Sequence, residues 1–445
     1  MSTDERPRVL VLGADKCIFE ACEKRGIEPV LVVGSMLFDF GLQPIPEGIT
    51  CLLVDDLSNV EAVLAALHRA GLADAKFVGV QTGDETAVVT AGMLGRHYGC
   101  PAIDPEMAVY FRDKVLQKRR VAEAGIPTAR ATFIEDIYDV SAFTELPYEK
   151  AVLKPIAGAG TYMTSVVNNI GELRARSRAY RSMRVPKRNF ALEEFVAGEE
   201  WTADGVVYDG EVVFCAMATY GAPCLTVVTT NSPLRLRRFD PDSEAWAYDR
   251  AMPVVAASLK ALGMTEGVFH LELFHDPETG ALTFGECAAR RGGALVHEEV
   301  QAKFNVHLAD ASLMIAMGRP PELDVKVRPE AIGCTYLLGK PGTLFACPSP
   351  AEIRERPGVE YARIESPWGM QIPDEQGSTN YRVGQALLAC DTVEELEQRF
   401  DEVCEWFGEQ LIVAPYGTPM RDQRFWQWRT WPDADFTDPL YQAPE

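Results

Sequence analysis

Residues 267 to 293 read GVFHLELFHDPETGALTFGECAARRGG. The HDPETGA segment carries turn residues, which predicts that VFHLELF and ALTFGEC pair as an antiparallel hairpin. Side chains alternate along a strand, so His270, Glu272 and Phe274 share one face. A hairpin folded about Glu278 or Thr279 sets Glu272 opposite or diagonal to Glu286, with Cβ atoms roughly 5 to 8 Å apart. Carboxylates that close repel unless positive charge lies between them, and each is costly to desolvate unless paired or metal-bound. Magnesium suits such a pair, because it takes one or two carboxylates and completes its shell with water and nucleotide phosphates. Arg290 follows Glu286 closely enough to face a transferred phosphoryl group. A Glu–Arg salt-bridge lattice at a hairpin end is the other arrangement these residues allow. His270 reads as a core histidine in a supporting role.

Outward from this hairpin the chain is long, 445 residues, enough for roughly two to four domains and a large core. A net charge of −22 argues against nucleic acid as a partner, RLRR being the one dense basic run. The segment MSTDERPR lacks the apolar core of a signal peptide, and the longest uncharged run is broken by Gly, Pro and Asn, so no membrane span is expected. Eleven cysteines without CxxC spacing read as reduced thiols of a cytoplasmic protein.

RVLVLGA, EPVLVVG, ITCLLVDD and AKFVGVQTG alternate with helical patterns, which predicts a doubly wound parallel sheet. The first turn holds Gly13 but no GxGxxG, so this region reads as scaffold rather than dinucleotide site. DPEMAVYFRDKVLQKRRVAEAGIPTAR predicts a pair of helical segments stopped at Gly125, with Pro127 beyond. Short strands follow in ATFIED, YEKAVLKPI, TSVVN and NFALEEFV, then a hairpin turned at Asp209 and Gly210. From about residue 330, strands and one amphipathic helix form an α+β tail. WQWRTW, near the C-terminus, reads as a tail packed on its own domain, and His297, Glu298 and Glu299 as a solvated helix start.

Two more constellations bear on chemistry. In AVLKPIAGAGTYMTSVV, Lys154 stands at the base of a hairpin tip containing Ala157, Gly158, Ala159, Gly160 and Thr161. Such a tip lets backbone N–H groups approach phosphate oxygens; a glycine-rich turn beside a solvated lysine is the plainer reading. In ALEEFVAGEEWTADG, a strand end carries Glu193, Glu194 and Val196, with Glu200 beyond. This supplies an apolar slot, a free backbone edge and an acceptor carboxylate, as an adenosine needs, or simply a solvated acidic turn.

RDKVLQKRRVAEAGIPT, VLKPIAGAGT, LEEFVAGEE and FHLELF followed by TFGECAARRGG, in this order, closely resemble the ATP-grasp superfamily over roughly residues 5 to 420. The resemblance implies a mixed α/β and α+β protein. Its parts would be a Rossmann-like N-terminal domain (1–112), a two-lobed ATP-grasp domain (113–325, glycine-loop lobe about 125–195) and a small α+β C-terminal domain (326–445). Residue by residue it implies ATP contacts from Lys114, Lys154, Gly158, Gly160, Thr161, Glu193, Glu194, Val196 and Glu200. It implies Mg2+ or Mn2+ on Glu272 and Glu286, and a phosphate-facing catalytic Arg290. Many members place Asn where this chain has Ala288, and a glycine where it has Met163; ECAAR is similar to the ExxAR version of amino-acid (dipeptide) ligases.

The activity so implied is that of an ATP-dependent carboxylate–amine ligase working through an acylphosphate on amino acids or small peptides. The acceptor pocket is expected in ATYGAPCLTVVTTNSPLRLRR, with Arg235, Arg237 and Arg238 as carboxylate holders or a solvated basic edge, and in the tail domain. The rivals are a biotin-carboxylase-like or purine-pathway enzyme phosphorylating bicarbonate or formate, and a nucleotide-binding protein without turnover. A homodimer is an expectation carried by the relatives.

Overall fold

The computed structural model describes residues 6–34, 48–366, 368–374, 377–379 and 381–430. Strands β1 (Arg8–Leu12), β2 (Glu28–Gly34), β3 (Thr50–Val54) and β4 (Phe77–Thr82) form a parallel sheet in the order β3-β2-β1-β4. Parallel strands are buried on both faces, which is why β1 and β2 read as unbroken apolar runs. Leu10, Leu12, Val30 and Val32 pack against helices α2 (Val60–Arg69) and α3 (Val88–Tyr98). Val9, Val11, Leu31 and Val33 pack on the opposite face against α1 (Lys16–Arg25) and a helix from much later in the chain, residues 308–316.

The chain continues through α4 (Pro105–Tyr110) and α5 (Lys114–Glu123), which is capped by Asp113 and stopped at Gly125 with φ 78°. An antiparallel sheet then forms from β5 (Ala131–Ile134), β6 (Ala151–Pro155), β7 (Ser165–Val167) and β8 (Phe190–Glu194), in the order β5-β8-β6-β7, covered by α6 (Ile170–Met183).

The largest sheet runs β13-β12-β9-β10-β11-β14-β18-β16. Its strands are β9 (Glu199–Tyr208), β10 (Glu211–Tyr220), β11 (Arg235–Arg238), β12 (Gly267–His275), β13 (Leu282–Ala288), β14 (Ala331–Leu337), β16 (Val359–Ile364) and β18 (Gly384–Cys390). The β9–β10 turn places Asp209 at φ 53° and Gly210 at φ 77°, the backbone that the Asp-Gly pair predicts. Helices α7 (Cys224–Thr230), α8 (Ala245–Ala261), α9 (Val296–Phe304) and α10 (Leu308–Ala316) flank this sheet. Sheet pairing between β11 and β14 carries it across the boundary expected near residue 325. A small sheet of β15 (Gly342–Ala346), β17 (Gln371–Ile372) and β19 (Ile412–Ala414), with α11 (Pro350–Arg354), α12 (Val393–Gln410) and α13 (Met420–Thr430), completes the tail. Trp426 meets the Phe345 ring at 5.6 Å, Trp428 is exposed, and Trp431 of the WQWRTW segment lies outside the described residues. Among the described residues no helix is long and apolar enough to cross a membrane.

Two sequence expectations give way here. The helix start at His297, Glu298 and Glu299 is not solvated: His297 and Glu299 are buried, and Glu298 faces Arg363 at 3.5 Å. The RLRR run is not a solvated edge or a carboxylate holder either. Arg235 pairs with Asp401 at 2.5 Å and Arg237 with Glu244 at 2.8 Å, while Arg238 is fully buried between Asp204 at 2.8 Å and Glu299 at 2.9 Å. Alternation along a strand cannot reveal partners that far away in sequence. Removing one member of a buried ionic group strands the others. Arg238→Met is therefore expected to destabilise the chain by about 3 to 5 kcal/mol, read as a lowered denaturant midpoint in equilibrium unfolding.

Candidate active site

Strands β12 and β13 pair with Glu272 directly opposite Glu286. The register slips next to this pair, and Gly285 is the extra residue. Its effect on side-chain direction is large. Phe284 points into the core beneath the sheet; without an extra residue Glu286 would follow it. The bulge reverses the phase, so that Cys287 turns to the core while Glu286 and Ala288 face a cavity. A Cβ at Gly285 would lie 2.9 Å from the Glu272 carbonyl oxygen, so this close strand approach needs glycine.

Side β13 is the sheet's edge, and α5 clips onto it. Gln117 Nε2 donates to Cys287 O at 2.7 Å, while Gln117 Oε1 accepts from Cys287 N at 2.8 Å. Lys118 Nζ donates to Gly285 O at 2.5 Å, Phe284 N donates to Pro127 O at 2.8 Å, and Thr128 Oγ1 donates to Phe284 O at 3.0 Å. The clip brings Lys114, one turn earlier on the same helix face, to 2.8 Å from Glu286.

From the small antiparallel sheet, Lys154 on β6 reaches Glu286 at 3.2 Å and Glu193 at 3.0 Å. Lys118 stands 3.4 Å from Glu193, whose other oxygen is buried without a hydrogen-bond partner among the described residues. The result is an alternating array, Lys114–Glu286–Lys154–Glu193–Lys118. Burial pushes Glu286 up, but Lys114 and Lys154 outweigh it and hold this carboxylate well below the usual range. Burial pulls Lys154 down, yet Glu193 and Glu286 keep its ammonium above the ordinary lysine value; in Lys118 burial prevails and the value falls.

Around one cavity of about 620 Å³ the fold gathers the residues to which the resemblance assigned ATP, metal and phosphate: Lys114, Lys154, Gly158, Gly160, Thr161, Glu193, Glu194, Val196, Glu200, Glu272, Glu286 and Arg290. The glycine loop joins β6 to β7, with Gly160, Thr161 and Met163 at φ 59°, 56° and 58°. Its Gly160 carbonyl accepts from Ser378 Oγ at 2.5 Å, and Thr379 N donates to Thr161 Oγ1 at 3.0 Å, so the tail region touches the loop. Glu194 is held by Arg130 at 2.8 Å. Glu200 accepts from Cys224 N at 2.8 Å, and burial, then Glu272, pushes it up to about 8. The acceptor segment contributes Tyr220, Cys224, Leu225 and Leu234 to the wall, but none of its arginines.

Asp204 on β9 accepts from His270 Nδ1 at 2.7 Å, and His270 Nε2 lies 3.6 Å from Glu272, so the core histidine braces that carboxylate. Two facing carboxylates with no thiolate beside them suit a hard divalent cation, which takes oxygen ligands. Among the described residues no cluster of three or more His, Cys, Asp or Glu is arranged to hold a metal.

No model of a known protein family matches the chain. It is 24% identical over 349 residues to the L-arginine-specific L-amino acid ligase of Bacillus subtilis, spanning 78% of this chain and 83% of that protein. Its fold is similar to the L-amino acid ligase from Bacillus licheniformis, with a TM-score of 0.73 and 18% identity over 93% of this chain and 100% of that one. A carboxyaminoimidazole ribonucleotide synthase from Aspergillus clavatus, solved with ATP, aligns with a TM-score of 0.65 and 14% identity over 90% and 99% of the two chains. The chain shares its fold with these ligases.

Several residues of this cavity escaped the sequence reading. Lys118 was legible as the helical neighbour four positions after Lys114. Glu85 and Gly83 follow the carboxyl end of β4, where ligands gather in open parallel sheets, but nothing local marks them. Arg291, paired with Asp15, and Arg382, stacked 4.5 Å from the Tyr336 ring, depend on distant partners.

The Asp204–His270 pair makes stability depend on pH at both extremes. Burial raises Asp204, but His270 and Arg238 outweigh it and bring it to about 2; burial lowers His270, but Asp204 holds it up to about 10. The Asp204 contribution is present above its ordinary value of 3.8 and is lost as pH falls toward about 2. That of His270 is complete below 6.5 and is lost as pH rises through about 10. Denaturant midpoints of the wild type are expected to fall between these alkaline limits, and His270→Gln to flatten that limb.

Proposed function

We propose that this chain is an ATP-grasp ligase that joins the carboxylate of an amino acid or small peptide to an amine, through an acylphosphate, releasing ADP and phosphate. The observation that carries the reading is the opposed Glu272–Glu286 pair on one cavity face, with Lys114 and Lys154 within 3.2 Å of Glu286 and Arg290 in the same wall. The similarity to amino acid ligases supports amino acids as the substrate class. The layout is read as a Rossmann-like N-terminal domain, a two-lobed ATP-grasp domain and a C-terminal α+β domain, with the first sheet sharing α10 and the largest sheet spanning the last two.

Val196 and the backbone after Glu194 would seat the adenine, Glu200 the ribose, and Gly158, Gly160 and Thr161 the phosphates, over Lys114 and Lys154. Glu272 and Glu286 would hold a divalent cation, magnesium or manganese, whose charge offsets that of the nucleotide's phosphate oxygens. A substrate carboxylate oxygen attacks the γ-phosphorus and the bond to the β–γ bridging oxygen breaks, so ADP leaves with that electron pair. The amine nitrogen then attacks the acyl carbon, the carbon–oxygen bond to phosphate breaks, and the amine's proton departs with solvent. Lys154 and Arg290 offset negative charge as it develops on the transferred group, and positioning together with electrostatics carries this chemistry without a side-chain nucleophile.

Phosphate release from ATP is expected only when an acid and an amine are both supplied, and a screen of the twenty amino acids in pairs tests this. Bicarbonate-dependent release without any amine contradicts it. In the productive pair, Glu286→Gln is expected to abolish phosphate release while ATP still binds weakly, and chelation with EDTA to do the same to the wild type. Arg290→Ala should lower kcat roughly a hundredfold with ATP affinity little changed, because its contact strengthens in the transition state; equal losses in both would make it a nucleotide holder.

A further inference from the structure

We infer that Glu85 is a positioning residue that locks Arg290 and the glycine loop into one ionic joint; for the role of Arg290 this rests on the ligase reading. Strand β4 ends at Thr82, and Asp84 caps the short 3-10 turn Glu85–Ala87 by accepting from Thr86 N at 2.8 Å. Glu85, 8% exposed, lies in the cavity wall.

Each carboxylate oxygen has its own guanidinium. Oε1 accepts from Arg112 Nη1 at 2.6 Å, and Oε2 accepts from Arg290 Nε at 3.0 Å and from Arg290 Nη2. Arg112 carries the joint onward, because its Nη2 donates to Ala157 O at 2.7 Å, at the root of the glycine loop. Lys187 reaches the same carbonyl at 3.0 Å. One buried anion thus fixes both the cation that faces the transferred group and the start of the loop that covers it.

The arrangement has a direct physical consequence. Without Glu85, two guanidiniums share a wall with no counter-charge between them, and both swing away. Arg290 is drawn toward Glu286 and Glu272, whose fields already reach it, and Arg112 loses the support that aims it at Ala157. A carboxylate buried between the two arginines acts through them. It lowers the freedom of a long side chain that must be in place before charge develops.

The test uses the full-length chain carrying Glu85→Ala and Glu85→Gln, each alone and combined with Arg290→Ala. Phosphate release is measured with varied ATP and the acid–amine pair that gives the wild type its highest turnover. Glu85→Ala is expected to lower kcat about 30- to 100-fold, with KM for ATP changed less than about threefold. In the Arg290→Ala background the same substitution should cost less than about threefold, because it acts through that arginine. Glu85→Gln, which keeps the volume, should fall between. Protease cutting between Ala157 and Tyr162 without nucleotide should quicken at least about fivefold in Glu85→Ala. Equal losses in both backgrounds, or a KM rise matching the kcat fall, overturn the joint. If Glu85→Ala does not fold, the Glu85→Gln cycle is judged by the same criterion. A wild type that releases no phosphate with any pair sinks the ligase reading alone; the protease comparison then decides the joint, and unchanged cutting in the Glu85 variants overturns it.

Discussion

The cavity depends on keeping like charges apart by interleaving them with opposite ones. Glu193 is buried and Glu286 partly so, and each is tolerable because Lys114, Lys154 or Lys118 stands within 3.4 Å. Four of the elements that line the cavity meet in this array. Helix α5 supplies two of its lysines, β6 and β8 of the small sheet supply Lys154 and Glu193, and β13 of the largest sheet supplies Glu286. Three separate pieces of secondary structure are held in register by charge as much as by packing. Under the proposed function, a polyanionic nucleotide would meet ammonium groups whose positions are already fixed, which is the condition for electrostatics to help phosphoryl transfer.

A second ionic layer lies where the N-terminal sheet abuts the cavity. The carboxyl ends of β1 and β4 present Asp15 and Glu85, which take up Arg291 and Arg290. The parallel sheet thereby does more than support the molecule, since the two arginines of the ECAARRGG segment are oriented from outside the hairpin that carries them. Each of these two adjacent guanidiniums has a separate acid, Asp15 following β1 and Glu85 following β4. The buried Arg238 plays the corresponding part beneath the cavity, joining Asp204, and through it His270, to Glu299.

Much of this was legible in order and type. Alternating apolar runs gave the parallel strands, Asp209-Gly210 its hairpin, and the turn at HDPETGA the pairing of Glu272 with Glu286. Local rules govern those features, so local residues reveal them. The bulge at Gly285 was not legible, although it alone decides that Glu286 faces the cavity rather than the core, because a glycine in a strand signals a bulge without fixing its phase. Glu85, Arg291 and Arg382 were missed for a different reason. Their environments are assembled by segments separated by tens to hundreds of positions, and neither spacing nor periodicity records such pairings. The same limit explains why RLRR read as a surface run when Arg238 is one of the most buried side chains.

The clip of α5 on β13 has an effect beyond the cavity. An outermost strand ordinarily leaves a row of amides and carbonyls open to any extended segment of another molecule, the start of self-association. Here Gln117 imitates a neighbouring backbone by donating and accepting at Cys287, and Pro127, Thr128 and Lys118 occupy the groups at Phe284 and Gly285. The border that carries Glu286 is thereby sealed against foreign strands, so the same glutamine that steers two lysines also protects the protein in crowded solution from edge-to-edge aggregation.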